Sequence, residues 1–191
     1  QRFAFRRGHR MLVEGGLVQQ RDTLGQNDGT TRTVSVDGWR GEVKYDGRIS
    51  NKLNLEPAVE MQRGIDYTHG VPANTISSDL EAVLRPSPAV RVDLRGTYQH
   101  HRPNRHDEVS TWLARGRLSW QFTRKLGMRI VEEHSTSSDQ DSQLLSSVLL
   151  TWLDVPGTSV HLGYTEVGAY APSYEAQERI VFAKASLLLR P

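Results

Sequence analysis

Residues 112–165 read WLARGRLSWQFTRKLGMRIVEEHSTSSDQDSQLLSSVLLTWLDVPGTSVHLGYT, and this stretch decides the fold. In its first part alternate residues are apolar or small, while the residues between them are mostly polar. A period of two is that of a β-strand with two unlike faces. The apolar series is Trp112, Ala114, Gly116, Leu118, Trp120 and Phe122, and the intervening series is Leu113, Arg115, Arg117, Ser119 and Gln121.

The same stretch contains the turns that join such strands. Residues 123–125 form a tight turn, and the alternation resumes from Leu126. A long polar loop at 134–142 follows, then a strand, a turn at Pro156-Gly157 and another strand. Short turns that alternate with long loops are typical of a transmembrane β-barrel.

The pattern extends over the whole chain. It predicts one all-β domain at 1–191, an antiparallel up-and-down transmembrane β-barrel of about ten strands or part of a larger barrel. Arg2–Arg6 alternates too, and we interpret residues 1–7 as the tail of an upstream strand. The predicted long loops are 22–37, 66–75, 103–108, 134–142 and 168–177.

The composition limits the alternatives. No run of 18 apolar residues is present, which excludes a transmembrane helix. The 24 basic and 22 acidic residues nearly balance, which argues against a polyanion-binding protein. With no cysteine, disulfides and thiolate metal sites are excluded. No signal peptide is recognisable, so we expect that one was removed or that the chain is a piece of a longer protein.

The alternation leaves open which face is enclosed. A soluble barrel or sandwich buries its apolar face inside the protein, whereas a membrane barrel presents that face to lipid. In the soluble case, Trp120, Leu150 and Leu187 would pack together at the centre and the arginine rows would face water. The two cases therefore differ in the exposure of the apolar side chains.

Three features favour the membrane case. The strands are about 10 to 12 residues long, which suits a tilted strand that crosses a bilayer. Small and large residues mix on the apolar face, which lipid tolerates better than a close-packed core does. Large aromatic residues collect near the strand ends, as in the interfacial girdles of membrane barrels. The expected girdle residues are Trp39, Tyr98, Trp112, Trp120, Phe122, Trp152 and Tyr164.

In the membrane case the polar face lines a lumen. Charges are costly in a dry interior, so we expect a lumen that either holds water or is laced with arginine–carboxylate pairs. Its arginines either form a basic ladder that favours anions or pair internally. The expected lumen-lining residues are Arg40, Glu42, Lys44, Glu56, Glu60, Asp79, Glu81, Arg91, Asp93, Arg95, Arg115, Arg117, Arg129 and Lys184.

Three segments resemble the closing hairpins of a bacterial outer-membrane β-barrel family of unknown function, whose members often carry a carbohydrate-binding module ahead of the barrel. They are LSWQFTRKLGMRIV (118–131), LLTWLDVPGTSVHLGYTE (149–166) and RIVFAKASLLLR (179–190). The resemblance implies a barrel larger than this chain and carries over no catalytic residue. Outer-membrane proteins usually end on an aromatic residue that the assembly machinery reads. Because this chain ends on Leu189-Arg190-Pro191, we expect a tolerant signal or further chain.

Three loops carry residues with chemical potential. The first contains His100, His101, Arg105, His106 and Asp107. These residues could form a metal site or an Asp–His catalytic pair, or they could simply belong to a solvated polar loop. Residues 168–174 (GAYAPSY) offer tyrosines that stack on a glycan or partner, or that pack within the loop itself. Residues 137–142 (SSDQDS) resemble a calcium loop only weakly, since the glycine and the terminal glutamate are missing.

We therefore expect a bacterial outer-membrane β-barrel that acts as a passive pore or as a structural component of a larger envelope assembly. We expect no covalent chemistry, no cofactor and no metal. The expected partners are the lipid bilayer and other envelope subunits, and not nucleic acid. Two alternatives stay open: a soluble all-β binding protein, and a surface hydrolase with its site on the barrel rim.

Overall fold

A computed structural model describes residues 1–5, 9–25, 31–154, 158–170 and 173–187, which form eleven β-strands in one sheet. The strands follow one another in sequence order across the sheet and run antiparallel. The described residues contain no helix long and apolar enough to cross a membrane. The strands are β1 (Arg2–Phe5), β2 (His9–Gly25), β3 (Thr31–Arg48), β4 (Leu53–Asp66), β5 (Val71–Ser87), β6 (Val90–Pro103), β7 (Val109–Gln121), β8 (Leu126–Ser137), β9 (Gln140–Leu153), β10 (Ser159–Tyr170) and β11 (Tyr174–Ser186).

This topology confirms the predicted all-β, up-and-down antiparallel sheet. The fragment predicted as the tail of an extra strand forms β1, and its Phe3 pairs with Met11 of β2. Among the described residues no pairing joins β1 to β11, so this part of the sheet is not closed.

Several predicted long loops are shorter than expected, because the flanking strands continue into them. Pairing between β2 and β3 extends to Gly25 and Thr31. Between β8 and β9 the pairing extends to Ser137 and Gln140. These segments are polar, but the backbone ladder of an antiparallel pair needs no apolar side chain, and threonine favours extended backbone. Hydrophobic alternation therefore underestimates the length of these strands.

The sequence predicts one domain, and the structure divides the chain into two compact units. The first unit comprises Gln1–Arg48, Leu55–Leu80 and Thr97–Thr111. The second unit comprises Ile49–Asn54, Glu81–Gly96 and Trp112–Pro191.

In the first unit, Asp66 builds the turn between β4 and β5. Its carboxylate accepts a hydrogen bond from the Thr68 backbone N–H at 2.9 Å, and its carbonyl accepts one from the Gly70 N–H at 2.8 Å. Gly70 has a φ of 63°, which glycine adopts without steric cost. The unit has a small buried apolar cluster, formed by Val34, Val36 and Ile65.

In the second unit, the strand register joins apolar residues of β8–β11 into rows. Met128 pairs with Leu150, Leu150 with Leu162, and Leu162 with Ala183. Residues two positions away lie on the same face and form parallel rows. These rows are Ile130–Val148–Tyr164–Val181 and Leu126–Trp152–Val160–Ala185. One face of these four strands is therefore apolar over a continuous area.

Candidate functional site

The apolar face is exposed and is not packed into a core. Trp120 is 43% exposed, Leu150 36% and Leu187 76%. These three side chains therefore do not form the central core that an inward-packed soluble fold requires. Among the described residues no large side chain is fully buried. Within the described part of the chain, the apolar face thus lacks a protein surface that covers it.

Six of the seven expected girdle residues are exposed: Trp39, Trp112, Trp120, Phe122, Trp152 and Tyr164. The rings of Trp120 and Phe122 lie 4.6 Å apart at the short-turn end of β7. Tyr98 differs, because it is half-buried and its ring stacks with His100 at a centroid distance of 6.5 Å. Trp112, Trp120, Phe122 and Trp152 lie at or next to the ends of β7 and β9, whereas Trp39 and Tyr164 lie in the middle of β3 and β10. The interfacial girdle stays a prediction.

On the opposite face, arginines pair with carboxylates. Asp93 of β6 binds Arg91 of its own strand and Arg117 of β7, with N–O distances of 2.5 and 3.1 Å. The Asp93 side chain is only 17% exposed, whereas both arginines are more than twice as exposed. Asp93 therefore attracts two guanidinium groups at once and offsets their mutual repulsion.

Further ion pairs lie on this charged face, three of them between neighbouring strands and one, Arg40 with Glu42, within β3. They are Arg40 with Glu60 at 2.8 Å, Arg40 with Glu42 at 3.8 Å, Arg95 with Glu81 at 3.6 Å and Arg115 with Glu133 at 3.6 Å. Asp79 accepts a hydrogen bond from the Thr97 hydroxyl at 2.8 Å, and Glu56 is half-buried. Of the expected lumen-lining residues, Lys44, Arg129 and Lys184 form no ion pair with another described residue.

A cavity of about 330 Å³ lies among these pairs in the second unit. Its charged lining consists of Arg91, Arg95, Arg115, Arg117, Glu81 and Asp93. Each of the four arginines belongs to an ion pair, so the geometry favours internal pairing over an anion-selective ladder. Because these guanidinium groups are about half exposed, the pairs can remain hydrated.

The histidine-rich loop packs on the turn between β4 and β5. The His106 ring stacks on His69 at a centroid distance of 3.9 Å, and His69 Nδ1 lies 2.6 Å from Asp66 Oδ2. Burial raises the pKa of Asp66, but hydrogen bonds from His69 and from the Thr68 backbone outweigh burial and hold this pKa below its ordinary value. The sequence analysis missed Asp66 and His69. The Asp-x-x-His spacing could have indicated this pair, because an Asx-turn at Asp66 brings its carboxylate to His69.

Two histidines of this loop contact hydroxyl groups, and they differ in how they meet a carboxylate. His101 Nδ1 lies 2.9 Å from the Thr75 hydroxyl, but its Nε2 lies 3.9 Å from Asp66, beyond hydrogen-bond length. Thr75 is only 7% exposed, so a substrate has little access to its hydroxyl. Arg105 and Asp107 are exposed. His100 Nδ1 lies 2.8 Å from the half-buried Ser110 hydroxyl, and His100 Nε2 lies 3.3 Å from Glu108 Oε2. The described residues of this loop thus include a serine–histidine–carboxylate series, and the hydrolase alternative stays open.

The described residues contain no group of three histidine, aspartate or glutamate side chains placed to hold a metal ion. This includes residues 137–142, where the Ser137 hydroxyl donates to Asp139. Beside the tyrosine-rich segment 168–174, Glu166 of β10 accepts hydrogen bonds from the Tyr174 hydroxyl and from Arg179. The tyrosine-rich segment is thereby held against its own strands, although residues 171–172 lie outside the described part.

The site is assigned from its own geometry, because comparison with protein-family models, with curated proteins and with solved structures finds no match for this chain.

Proposed function

We propose that the chain forms the wall of a bacterial outer-membrane β-barrel, with its apolar face against lipid and its charged face along a passive, water-filled conduit. One observation carries this proposal. Apolar side chains at alternate positions, such as Leu150 and Leu162, stay exposed, and no core among the described residues receives them. The resemblance of the closing segments to an outer-membrane barrel family agrees with it.

The energetics of the apolar face support a lipid environment. Moving one large apolar side chain out of water contributes about 1.5–3 kcal/mol. The rows around Met128 and Leu150 continue over four strands, and soluble monomers rarely expose continuous apolar patches of more than a few hundred Å². Lipid tails remove this surface from water without the close packing that a protein core requires.

The charged face supports a hydrated lining. Most of its arginines, such as Arg40 and Arg117, pair with acids of the same or the next strand, which fits a wall whose positive charges are largely offset locally. Such a lining favours small polar solutes without strong selection by charge. A structural role in a larger envelope assembly is the second form of the proposal, and it applies if the lumen is blocked.

Closure of the sheet is part of the proposal. An unpaired strand edge is costly in hydrocarbon, because no water is present to bond its backbone groups. Since successive strands run in opposite directions, β1 and β11 run in the same direction. Antiparallel neighbours all round a barrel require an even number of strands. We therefore propose that the native barrel has an even number of strands and that both edges are covered.

Flotation with lipid vesicles tests the proposal. The chain is refolded from urea in the presence of phosphatidylcholine vesicles, washed with carbonate and centrifuged through a density gradient. We expect it to float with the vesicles and to conduct ions in planar bilayers. A chain that floats but does not conduct supports the structural role. A chain that remains monomeric in solution without detergent contradicts the membrane proposal and favours the soluble alternative.

A further inference from the structure

A second cavity, of about 350 Å³, lies in the first unit between β4, the start of β5 and the loop after β6. Three arginines line it, Arg63, Arg102 and Arg105, and we call it the arginine pocket. Buried Ala73 and buried Pro103 are also part of its lining. The pocket thus combines cationic side chains with a small apolar surface.

The arginine pocket carries a surplus of positive charge. Its one lining carboxylate is Glu108, which lies 2.7 Å from Arg102 Nε and 3.3 Å from His100 Nε2. Arg63 and Arg105 form no ion pair with another described residue. On the charged face, by contrast, the arginines that line the cavity all have acidic partners. The arginine pocket is therefore suited to an external anion.

Its chemistry matches a phosphate group in particular. A guanidinium presents two N–H donors in a planar fork, which fits two phosphate oxygens. The loop that carries Arg105 is held in place, because the Asn104 N–H donates to the Pro72 carbonyl at 2.9 Å. Arg105 itself has a φ of 66°, a strained conformation that the surrounding loop maintains. The cavity volume accommodates a phosphorylated sugar.

The position of the arginines points to the source of the phosphate. Arg63 follows exposed Met61 by two residues on β4, and Arg102 follows Tyr98 by four residues on β6. By the period of two, each arginine lies on the same side of its strand as the apolar residue before it. Arg63 is about 7 Å beyond Met61 along the strand. In a membrane barrel, this is the level of the lipid headgroups.

We propose that the arginine pocket binds the phosphate monoester of a glycolipid headgroup in the outer leaflet. This inference rests on the proposed function, since it requires the apolar face to be in lipid. Basic pockets between transmembrane helices bind anionic lipid headgroups, and the same charge complementarity applies to a basic pocket beside an apolar sheet face. The pocket would hold the protein at a defined depth and orientation.

The test measures lipid binding of the full chain in detergent micelles by native mass spectrometry. The probes are diphosphorylated lipid A, its dephosphorylated counterpart, and soluble glucosamine 1-phosphate. The main variant is R63Q/R105Q, which breaks no ion pair between described residues and so preserves folding better than a variant that includes Arg102. A matched control, R21Q/R32Q, removes two exposed arginines of β2 and β3 outside the pocket.

We expect the wild type to bind diphosphorylated lipid A about tenfold more tightly than the dephosphorylated form, and R63Q/R105Q to lose that preference. The R21Q/R32Q control should keep it. Equal binding by wild type and R63Q/R105Q overturns the proposal, and so does indifference to the phosphate. If glucosamine 1-phosphate binds as tightly as the lipid, the phosphate comes from a soluble ligand and the lipid source is wrong.

The same measurements separate this proposal from the proposed function. Phosphatidylcholine vesicles carry no phosphate monoester, so flotation with them tests the membrane location alone. If the chain floats but shows no preference for the phosphorylated lipid, the membrane proposal stands and the proposal of phosphate binding in the arginine pocket is wrong. A chain that stays in solution and binds glucosamine 1-phosphate refutes the membrane proposal and the lipid source together.

Discussion

Arg117 on β7 binds Asp93 on β6, with Nη2 3.1 Å from Oδ2, and the same carboxylate also holds Arg91. Two strands of the charged face are therefore joined through one partly buried acid. This relationship is the clearest departure from an anion-selective arginine ladder.

Replacement of this acid should weaken the fold. Asp93→Asn removes the charge that Arg91 and Arg117 share, and we expect a loss of about 1–2 kcal/mol in the free energy of unfolding. Urea unfolding in vesicles or detergent measures it. Asp107→Asn is the control, because Asp107 is exposed in the loop after β6. Equal stability of the two variants would show that the shared pair contributes nothing.

Charge on the apolar face should oppose insertion. Leu150→Arg places a guanidinium in the middle row of β8–β11, and we expect a cost of about 1–3 kcal/mol, between the values for the interface and the centre of a bilayer. The adjacent variant Thr151→Arg places the same group on the opposite face and should cost much less. Folding into phosphatidylcholine vesicles, followed by tryptophan fluorescence, measures the difference. If Leu150→Arg is neutral and Thr151→Arg is destabilising, the assignment of the faces is reversed.

The aromatic residues at the two ends of β7 should lie at the two membrane interfaces. Trp112 and Trp120 are eight residues apart, about 26 Å along the strand before tilt. In single-tryptophan variants, we expect lipids brominated near the headgroup to quench both residues more than lipids brominated near the chain ends. Absence of quenching for both would place the tryptophans outside the bilayer.

Close packing of backbones in the first unit gives a test that is independent of the membrane. A Cβ added at Gly38 would lie 2.1 Å from the Arg63 carbonyl oxygen, whereas one added at Gly41 would meet nothing within 4 Å. We expect Gly38→Ala to cost about 1–3 kcal/mol because the backbone must shift. Gly41→Ala should change stability by less than about 0.5 kcal/mol. Thermal unfolding of both variants measures the difference. Similar losses of stability would contradict the close contact between Gly38 of β3 and Arg63 of β4.

The turn between β4 and β5 should depend on pH in a defined direction. The pKa of Asp66 lies below its ordinary value of 3.8. Its contribution to stability is therefore complete above the unfolded pKa, and it is lost as pH falls through the lower folded pKa. We expect amide exchange at Thr68 and Gly70 to speed up only below pH 3.8. Asp66→Asn should remove this step, and a midpoint above the ordinary value would contradict the hydrogen-bonding scheme.

The strands and their two faces could be predicted because side-chain alternation is a local property. Trp112, Ala114 and Gly116 share a face in any strand, whatever surrounds it. The extension of β2 to Gly25 could not be predicted from alternation, because pairing there depends on the backbone of the opposite strand. The contact between the β4–β5 turn and the loop after β6 could not be predicted either, since His69 and His106 are far apart in the sequence.

By itself, the sequence determined that this protein is an antiparallel sheet with one apolar and one charged face, because period two requires no knowledge of distant residues. Only the tertiary structure decided which charges meet. Asp93 pairs with Arg117 in addition to Arg91 because β6 and β7 are neighbours, whereas Arg63 and Arg105 converge on one cavity without a carboxylate of their own. Coulomb interactions fall off with distance, so charge balance is a property of the folded neighbourhood and not of the composition.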